Sequence, residues 1–387
     1  MSRYIWQRPA WPHWKWSESA LKTLLDSVGR KRDYLAGLAA GLDAEHANRV
    51  VAELSTQETV ATSAIEGVKL DADSVRSSIM KRLGLGVAKD QRIGAAAKGV
   101  IDVLADSTEN LSVLTLERLF AWHTALFPAG RSGLVPVLVG ALRGGDPMQI
   151  VSGAYGRQKV HYEAPPRDRL DDEMNRFLAW LASSSTQDTT LKACLAHLWF
   201  ETLHPFEDGN GRLGRAISDL TLAQGAGMHS PRISRLWAVS PVFLKRRSDY
   251  YNELERAQKG NLEVTEWLQW SAACVDSAYD EARVCIERVG EVARFWARHR
   301  AVPFNVRQRR VLEVALAAND TQDIWLTAKR VVKLTKVAPV TASRDLSQLE
   351  AWAVIRRDPD AGGRSTRYFV VLDEPPAPRL LEKVTWK

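Results

Sequence analysis

Apolar residues recur every three or four positions along most of this chain, and that period predicts helices rather than strands. Leu191, Leu195, Leu198 and Thr202 share one face, thickened by Trp199, so a buried helix leads up to His204. A further helix is expected from Arg212, with Leu213, Ala216, Ile217 and Leu220 on one side. Earlier in the chain the same spacing predicts helices over 19–41 and 43–65, the second with Val50, Val51, Leu54, Val60 and Ala64 inward. Asp43 suits its start and Gly67 its end. Residues 70–110 read as polar helix broken at Gly84-Leu85-Gly86, and helices are also expected over 114–126, 249–257 and 264–296. One stretch breaks the period: 148–152 and 159–162 flank a glycine turn at 153–157, which predicts a β-hairpin in a helical protein. From 303 onward come helices over 304–318, 326–334 and 340–352, then an extended pair, 354–357 and 364–371, around a turn at 358–363.

Composition changes this picture little. At 387 residues there is room for two or three domains. A net charge of +7 permits an acidic partner without requiring nucleic acid. Three cysteines, Cys194, Cys274 and Cys285, lack metal-ligand spacing and read as reduced thiols. No run reaches the ~18 apolar residues of a membrane span, so a soluble, cytoplasmic protein without membrane partners is expected. Residues 4–16 hold four tryptophans and two prolines, a composition suited to an extended strap pinned on the protein's own helices.

The chemistry concentrates in His204-Pro205-Phe206-Glu207-Asp208-Gly209-Asn210-Gly211-Arg212-Leu213-Gly214-Arg215. Glycines at a helix N-terminus let backbone N–H groups approach an anion such as an oligophosphate. Arg212 and Arg215, three apart on one helical face, present planar forks to phosphate oxygens. Asp208 suits a hard cation such as Mg²⁺, and a neutral His204 could take a proton from an attacking hydroxyl. Glu66 is an acid at a helix C-terminus, where the dipole disfavours negative charge, and so wants a cation from elsewhere.

This run resembles the signature of the Fic family, His-x-Phe-x-(Asp or Glu)-Gly-Asn-Gly-Arg-x-x-Arg, at every fixed position. The resemblance implies a mainly α fold: a Fic-type helical bundle with a β-hairpin flap. It implies transfer of AMP from ATP to a Ser, Thr or Tyr hydroxyl of a target protein. His204 would be the general base, Asp208 the Mg²⁺ ligand, and Gly209, Asn210 and Gly211 the phosphate cradle. Arg212 and Arg215 would hold the outer phosphates, and Phe206 would anchor the loop in the core. Thr62, Glu66 and Gly67 match the family's inhibitory motif, (Ser or Thr)-x-x-x-Glu-(Gly or Asn), in which the glutamate pairs with the second arginine, here Arg215. Met148, Gln149, Ile150, Val151 and Ser152 fall where the family has its target-docking flap. Tyr250 and Tyr251 are placed to face the nucleotide, as in relatives, although core packing explains them equally well.

The helix–helix–helix–hairpin order after 303 is a winged helix-turn-helix pattern. Thr341, Ser343 and Arg344 would lie on its recognition helix and Arg364 on its wing, for contact with DNA, with docking of protein as the alternative. The expected divisions are 1–90, an N-terminal helical region with strap and inhibitory helix; 91–300, the catalytic domain; 301–374, the winged helix; and 375–387, a tail. Two other functions use the same residues: removal of AMP with Glu66 orienting water, and a nucleotide-sensing, DNA-binding regulator. A homodimer is compatible with all three.

Overall fold

The structure, a computed structural model, describes residues 3–86, 93–152, 159–183, 188–227, 235–316, 325–362 and 366–372. The hairpin turn at 153–157, Arg364 and the tail at 375–387 lie outside them. The chain divides into two units, Met1–Ile286 and Glu287–Lys387.

The first unit runs α1 (Glu18–Ala40), α2 (Ala44–Ile65), α3 (Ala72–Arg82), α4 (Ala95–Glu109) and α5 (Leu116–Leu126). Two short antiparallel pairs follow, β1 (Arg131–Ser132) with β2 (Val135–Pro136), and β3 (Gln149–Ser152) with β4 (Lys159–Glu163). Then come α6 (Arg167–Ala182), α7 (Thr189–Leu203), α8 (Asn210–Gly227), α9 (Ser240–Lys245), α10 (Arg247–Gln258) and α11 (Thr265–Arg298), which continues past the unit boundary. The N-terminal helices therefore share one unit with the His204 motif.

At the centre stands α7, buried from Thr190 to Leu203 at every position except Lys192. A helix apolar on all sides must be enclosed by others, and α8 and α6 are among those packed on it. The sequence pattern gave no α6. Its Leu170, Met174, Phe177 and Leu181 are buried at helical spacing, but the polar residues between them mask the period. The tryptophan strap packs on the protein itself: Trp6 Nε1 donates to the Glu163 carbonyl and Trp11 Nε1 to Glu173 Oε2. The Trp11 ring also meets Trp199 of α7 edge-on at 5.9 Å.

Gly99 lets α4 approach α5, since a Cβ there would stand 1.7 Å from the Ala125 carbonyl oxygen. That contact is with backbone and cannot be relieved by a rotamer change. Gly99→Ala should therefore lower stability by about 1–3 kcal/mol in denaturant unfolding, and an unchanged midpoint would contradict the close approach.

In the second unit α12 (Val306–Leu316), α13 (Ala328–Thr335) and α14 (Pro339–Ala351) precede an antiparallel pair, β5 (Ile355–Arg357) with β6 (Tyr368–Val370). Leu312, Leu326, Val331, Leu346, Val354 and Tyr368 build its core together with Phe295 near the end of α11. That packing explains why the division falls after Ile286 rather than near 300. On α14 Ser343 and Arg344 are exposed and Thr341 is half-buried. Of the basic residues on the hairpin, Arg367 is tied to Asp358 at 2.5 Å and lies over Trp325.

Candidate functional site

The end of α7 sets the site. His204 caps the helix in the left-handed conformation, φ 46°, and Pro205 stops its continuation. Asn210 then closes the loop on itself: its Oδ1 accepts from Phe206 N at 3.0 Å and its Nδ2 donates to Phe206 O at 2.8 Å. These bonds bring α8 forward to start at Asn210, two residues before the expected Arg212. At Gly209, φ is +83° and a Cβ would meet the Phe127 ring at 2.9 Å, so only glycine fits the turn.

Two residues outside the motif lock this loop. His123 of α5 is fully buried and stacked on Phe206, ring centroids 4.2 Å apart. Its Nδ1 accepts the Gly140 N–H at 3.1 Å, so Nε2 carries the proton and donates to the Asp208 carbonyl at 3.2 Å. Arg143 donates from Nε to the His204 carbonyl at 2.9 Å and from Nη2 to the Pro165 carbonyl at 2.5 Å. The loop enters and leaves through fixed points.

Burial pushes the His204 imidazole down to about 4, helped by Arg143 and opposed first by the Glu201 backbone carbonyl and then by Glu66 and Asp208. It is neutral at pH 7, the form a general base needs. Its Nδ1 is buried, which leaves Nε2 as the nitrogen that can reach a substrate. Three residues earlier, burial raises the Glu201 carboxyl to about 8.

Around the N-terminus of α8 the charges are arranged in opposition. Arg215, 3% exposed, donates from Nε to Thr62 Oγ1 at 2.8 Å and from Nη2 to the Thr62 carbonyl at 3.1 Å and Glu66 Oε1 at 2.7 Å. Glu66 is the C-cap of α2, and Gly67, at φ +78°, ends that helix. A Cβ on Gly211 would stand 2.3 Å from Glu66 Oε1. The carboxylate thus rests on the first turn of α8, where an anion is favoured. Arg212 lies over the Phe127 ring at 4.9 Å, with Nη2 3.9 Å from Asp208 Oδ1.

Asp208 is 39% exposed, and its Oδ1 accepts the Gly209 N–H. Among the described residues no three His, Cys, Asp or Glu side chains cluster as a metal cage. One accessible carboxylate is what Mg²⁺ asks of a protein when phosphates and water supply its other ligands, so the residues fit such an ion.

The expected hairpin is present as β3 and β4, with Ala164 N donating to the Met148 carbonyl. The irregularity in its register lies between Ile150 and Val151. Among the described residues β3 pairs on one edge only, with Gln149, Val151 and Ser152 exposed. His161 of β4 bonds to Glu255 Oε2 and Ser152 Oγ, a structural role. Tyr250 departs from expectation. It is 2% exposed, stacked on Phe243, and its hydroxyl pairs with His197 Nε2 at 2.8 Å, so it has no surface to offer a nucleotide. Tyr251 is 43% exposed and its hydroxyl donates to the Ile65 carbonyl beside Glu66.

Sequence reasoning gave His123 a packing or capping place without a role in the site, and missed Arg143, Glu201 and Glu58. The Glu58 carboxylate is buried on α2 and accepts from both the N–H and the hydroxyl of Ser240 at the start of α9. A charged residue inside an otherwise apolar helical face was the available signal for Glu58 and Glu201.

Comparison with known proteins agrees with this geometry. Residues 113–222 match the model of the Fic/DOC family, and residues 4–85 match a domain of unknown function, DUF4172. Over 270 residues the chain is 25% identical to the protein adenylyltransferase Fic of Nematostella vectensis, covering 66% of this chain and 55% of that protein. Over 166 residues it is 26% identical to a uridine 5'-monophosphate transferase of Xanthomonas campestris pv. campestris, covering 41% of this chain and 30% of that one. The chain thus spans about half or less of the length of these curated relatives. A crystal structure of a Fic family protein from Desulfovibrio desulfuricans G20 superposes with a TM-score of 0.51 at 21% identity, covering 92% of this chain and 97% of that one, a likeness of fold. With the His204–Arg215 loop, the whole of α7 and α8 as far as Leu222 inside the matched span, the chain carries a match to the Fic/DOC family over residues 113–222.

Proposed function

We propose that this protein is a nucleotidyltransferase that moves AMP from ATP to a hydroxyl side chain of a target protein, and that Glu66 holds it idle. The observation that carries this is a neutral, buried base, His204, at the mouth of a glycine turn whose helix N-terminus is covered by the Glu66 carboxylate. The names of the two relatives, an adenylyl- and a uridylyltransferase, support nucleotidyl transfer and leave the donor base to experiment.

In this mechanism His204 Nε2 accepts the proton of the target hydroxyl. The oxygen attacks the α-phosphorus, the α–β phosphoanhydride bond breaks, and pyrophosphate departs with the bonding pair. The N–H groups opening α8, with Arg212 and Arg215, would meet the charge that grows on the leaving phosphates. Asp208 would hold Mg²⁺, which when bound neutralises phosphate charge. The free edge of β3 suits an extended target segment, which could add as a further strand and bring its hydroxyl to His204.

Intact-mass spectrometry of the Glu66→Gly chain, alone and with candidate target proteins, after incubation with Mg²⁺ and each of ATP, UTP, CTP and GTP, tests the proposal. A gain of one nucleoside monophosphate is expected, and no gain on any protein with any donor would refute it. The pH profile gives a second check. A base with its pKa lowered to about 4 is neutral down to that pH. Transfer should therefore stay level from neutrality to about pH 5 and fall only as pH drops through about 4, rather than near the ordinary histidine value of ~6.5. A limb at the ordinary value would contradict the buried-base assignment.

A further inference from the structure

Two buried polar atoms beside the base lack hydrogen-bond partners among the described residues, His204 Nδ1 and Glu201 Oε1. Such atoms give up hydration without replacement, so native structures rarely keep them without a use. The two residues lie three apart at the end of α7. Left-handed backbone at His204 turns its ring back over the last helical turn, which leaves Nδ1 3.7 Å from Glu201 Oε2. That is longer than a hydrogen bond and within one side-chain adjustment of it.

Helix energetics do not account for Glu201. An acid in a last turn meets the negative end of the dipole, and this carboxyl is also 7% exposed. The neighbouring helix nevertheless makes room for it. A Cβ on Gly214 of α8 would stand 2.9 Å from Glu201 Oε1 and 3.2 Å from His197 Nδ1. The charged and titratable groups acting on the pair are Arg215 of α8, Glu66 of α2, Tyr250 of α10, Asp208 of the loop and Arg143 beside the His204 carbonyl. Among the described residues the carboxylate recorded within 4 Å of His204 Nδ1 is that of Glu201.

We infer that Glu201 is a positioning residue for His204: its carboxyl accepts the Nδ1–H, holds the ring in the tautomer with Nε2 bare, and steadies the imidazolium formed when Nε2 takes a proton. No proton passes to Glu201, and Nδ1 keeps its own throughout. A base held in one tautomer by a third group is a recurrent solution for activating hydroxyls. The rival acceptor is the Glu201 backbone carbonyl, which faces the same ring.

Nitrogen-15 spectra of the histidines in the full chain, without nucleotide, separate the two. The His204 signal is identified by its loss in His204→Ala. Wild type and Glu201→Gln, which keeps an acceptor oxygen, should show one tautomer with the proton on Nδ1, and Glu201→Leu should show a mixture. An unchanged tautomer in Glu201→Leu would assign the contact to the carbonyl and overturn the inference. The kinetic arm rests on the proposed transfer reaction. In a Glu66→Gly background, Glu201→Leu should lower kcat by ~10²-fold with KM for ATP within about twofold. If the Leu variant does not fold, Glu201→Gln decides: measured above pH 8, where the carboxyl raised to about 8 is ionised, kcat should fall by about tenfold at unchanged KM, because the amide carries no charge to balance the imidazolium, and a kcat equal to the parent there would overturn the inference. Failure of the parent to transfer from any nucleotide would sink the proposed reaction, while the tautomer result would still decide the role of Glu201.

Discussion

His204→Ala, made in a Glu66→Gly background, should reduce nucleotidyl transfer by ~10²–10⁴-fold, the usual range for a positioned general base. Nucleotide affinity should hardly change. The groups assigned to the phosphates, from Gly209 to Arg215, are held by bonds that His204 does not make through its side chain: Asn210 to Phe206, His123 to the Asp208 carbonyl, Arg143 to the His204 carbonyl. Alanine keeps that carbonyl, so the loop keeps its anchor. Transfer measured with labelled ATP, beside calorimetric nucleotide binding, separates the two effects. Activity within threefold of the parent would remove His204 from the mechanism, and loss of binding would make it a structural residue instead.

Glu66→Gly alone should raise transfer by about 5–150-fold, the span of ordinary coupling energies of 1–3 kcal/mol. Arg215 would still be aligned, because Thr62 holds it through Nε and Nη2 independently of Glu66. The substitution would free one guanidinium edge and uncover the Gly211 turn without dismantling the site. ATP should also stabilise this variant against heat more than it stabilises wild type, since ligand stabilisation grows with affinity. Equal rates in the two proteins would refute the inhibitory assignment, and so would a lower rate in the variant.

The loop chemistry was legible in sequence because its residues are contiguous, and the Glu66–Arg215 pairing came with the family resemblance. His123 and Arg143 were not, because they act on carbonyls 85 and 61 residues away and their own side chains carry no motif. The α6 helix stayed hidden because charged residues crowd its buried stripe. For Tyr250 the sequence left nucleotide contact and core packing open, because neighbouring tyrosines on a helix point in different directions, and the packing against Phe243 and His197 shows which one faces inward. The second unit's order of helices and hairpin was readable, but its boundary was not, because α11 is one continuous helix whose end joins a different core.

The carboxylate resting on the first turn of α8 belongs to the same unit as the site it covers. Under the proposed function it acts as a tethered competitor. Its effective concentration is set by the rigidity of α2 and, for a short tether, reaches the millimolar range or above. Dilution cannot lower that value. Under that reading any contact that tilts the last turn of α2 would act as an activator without touching the nucleotide.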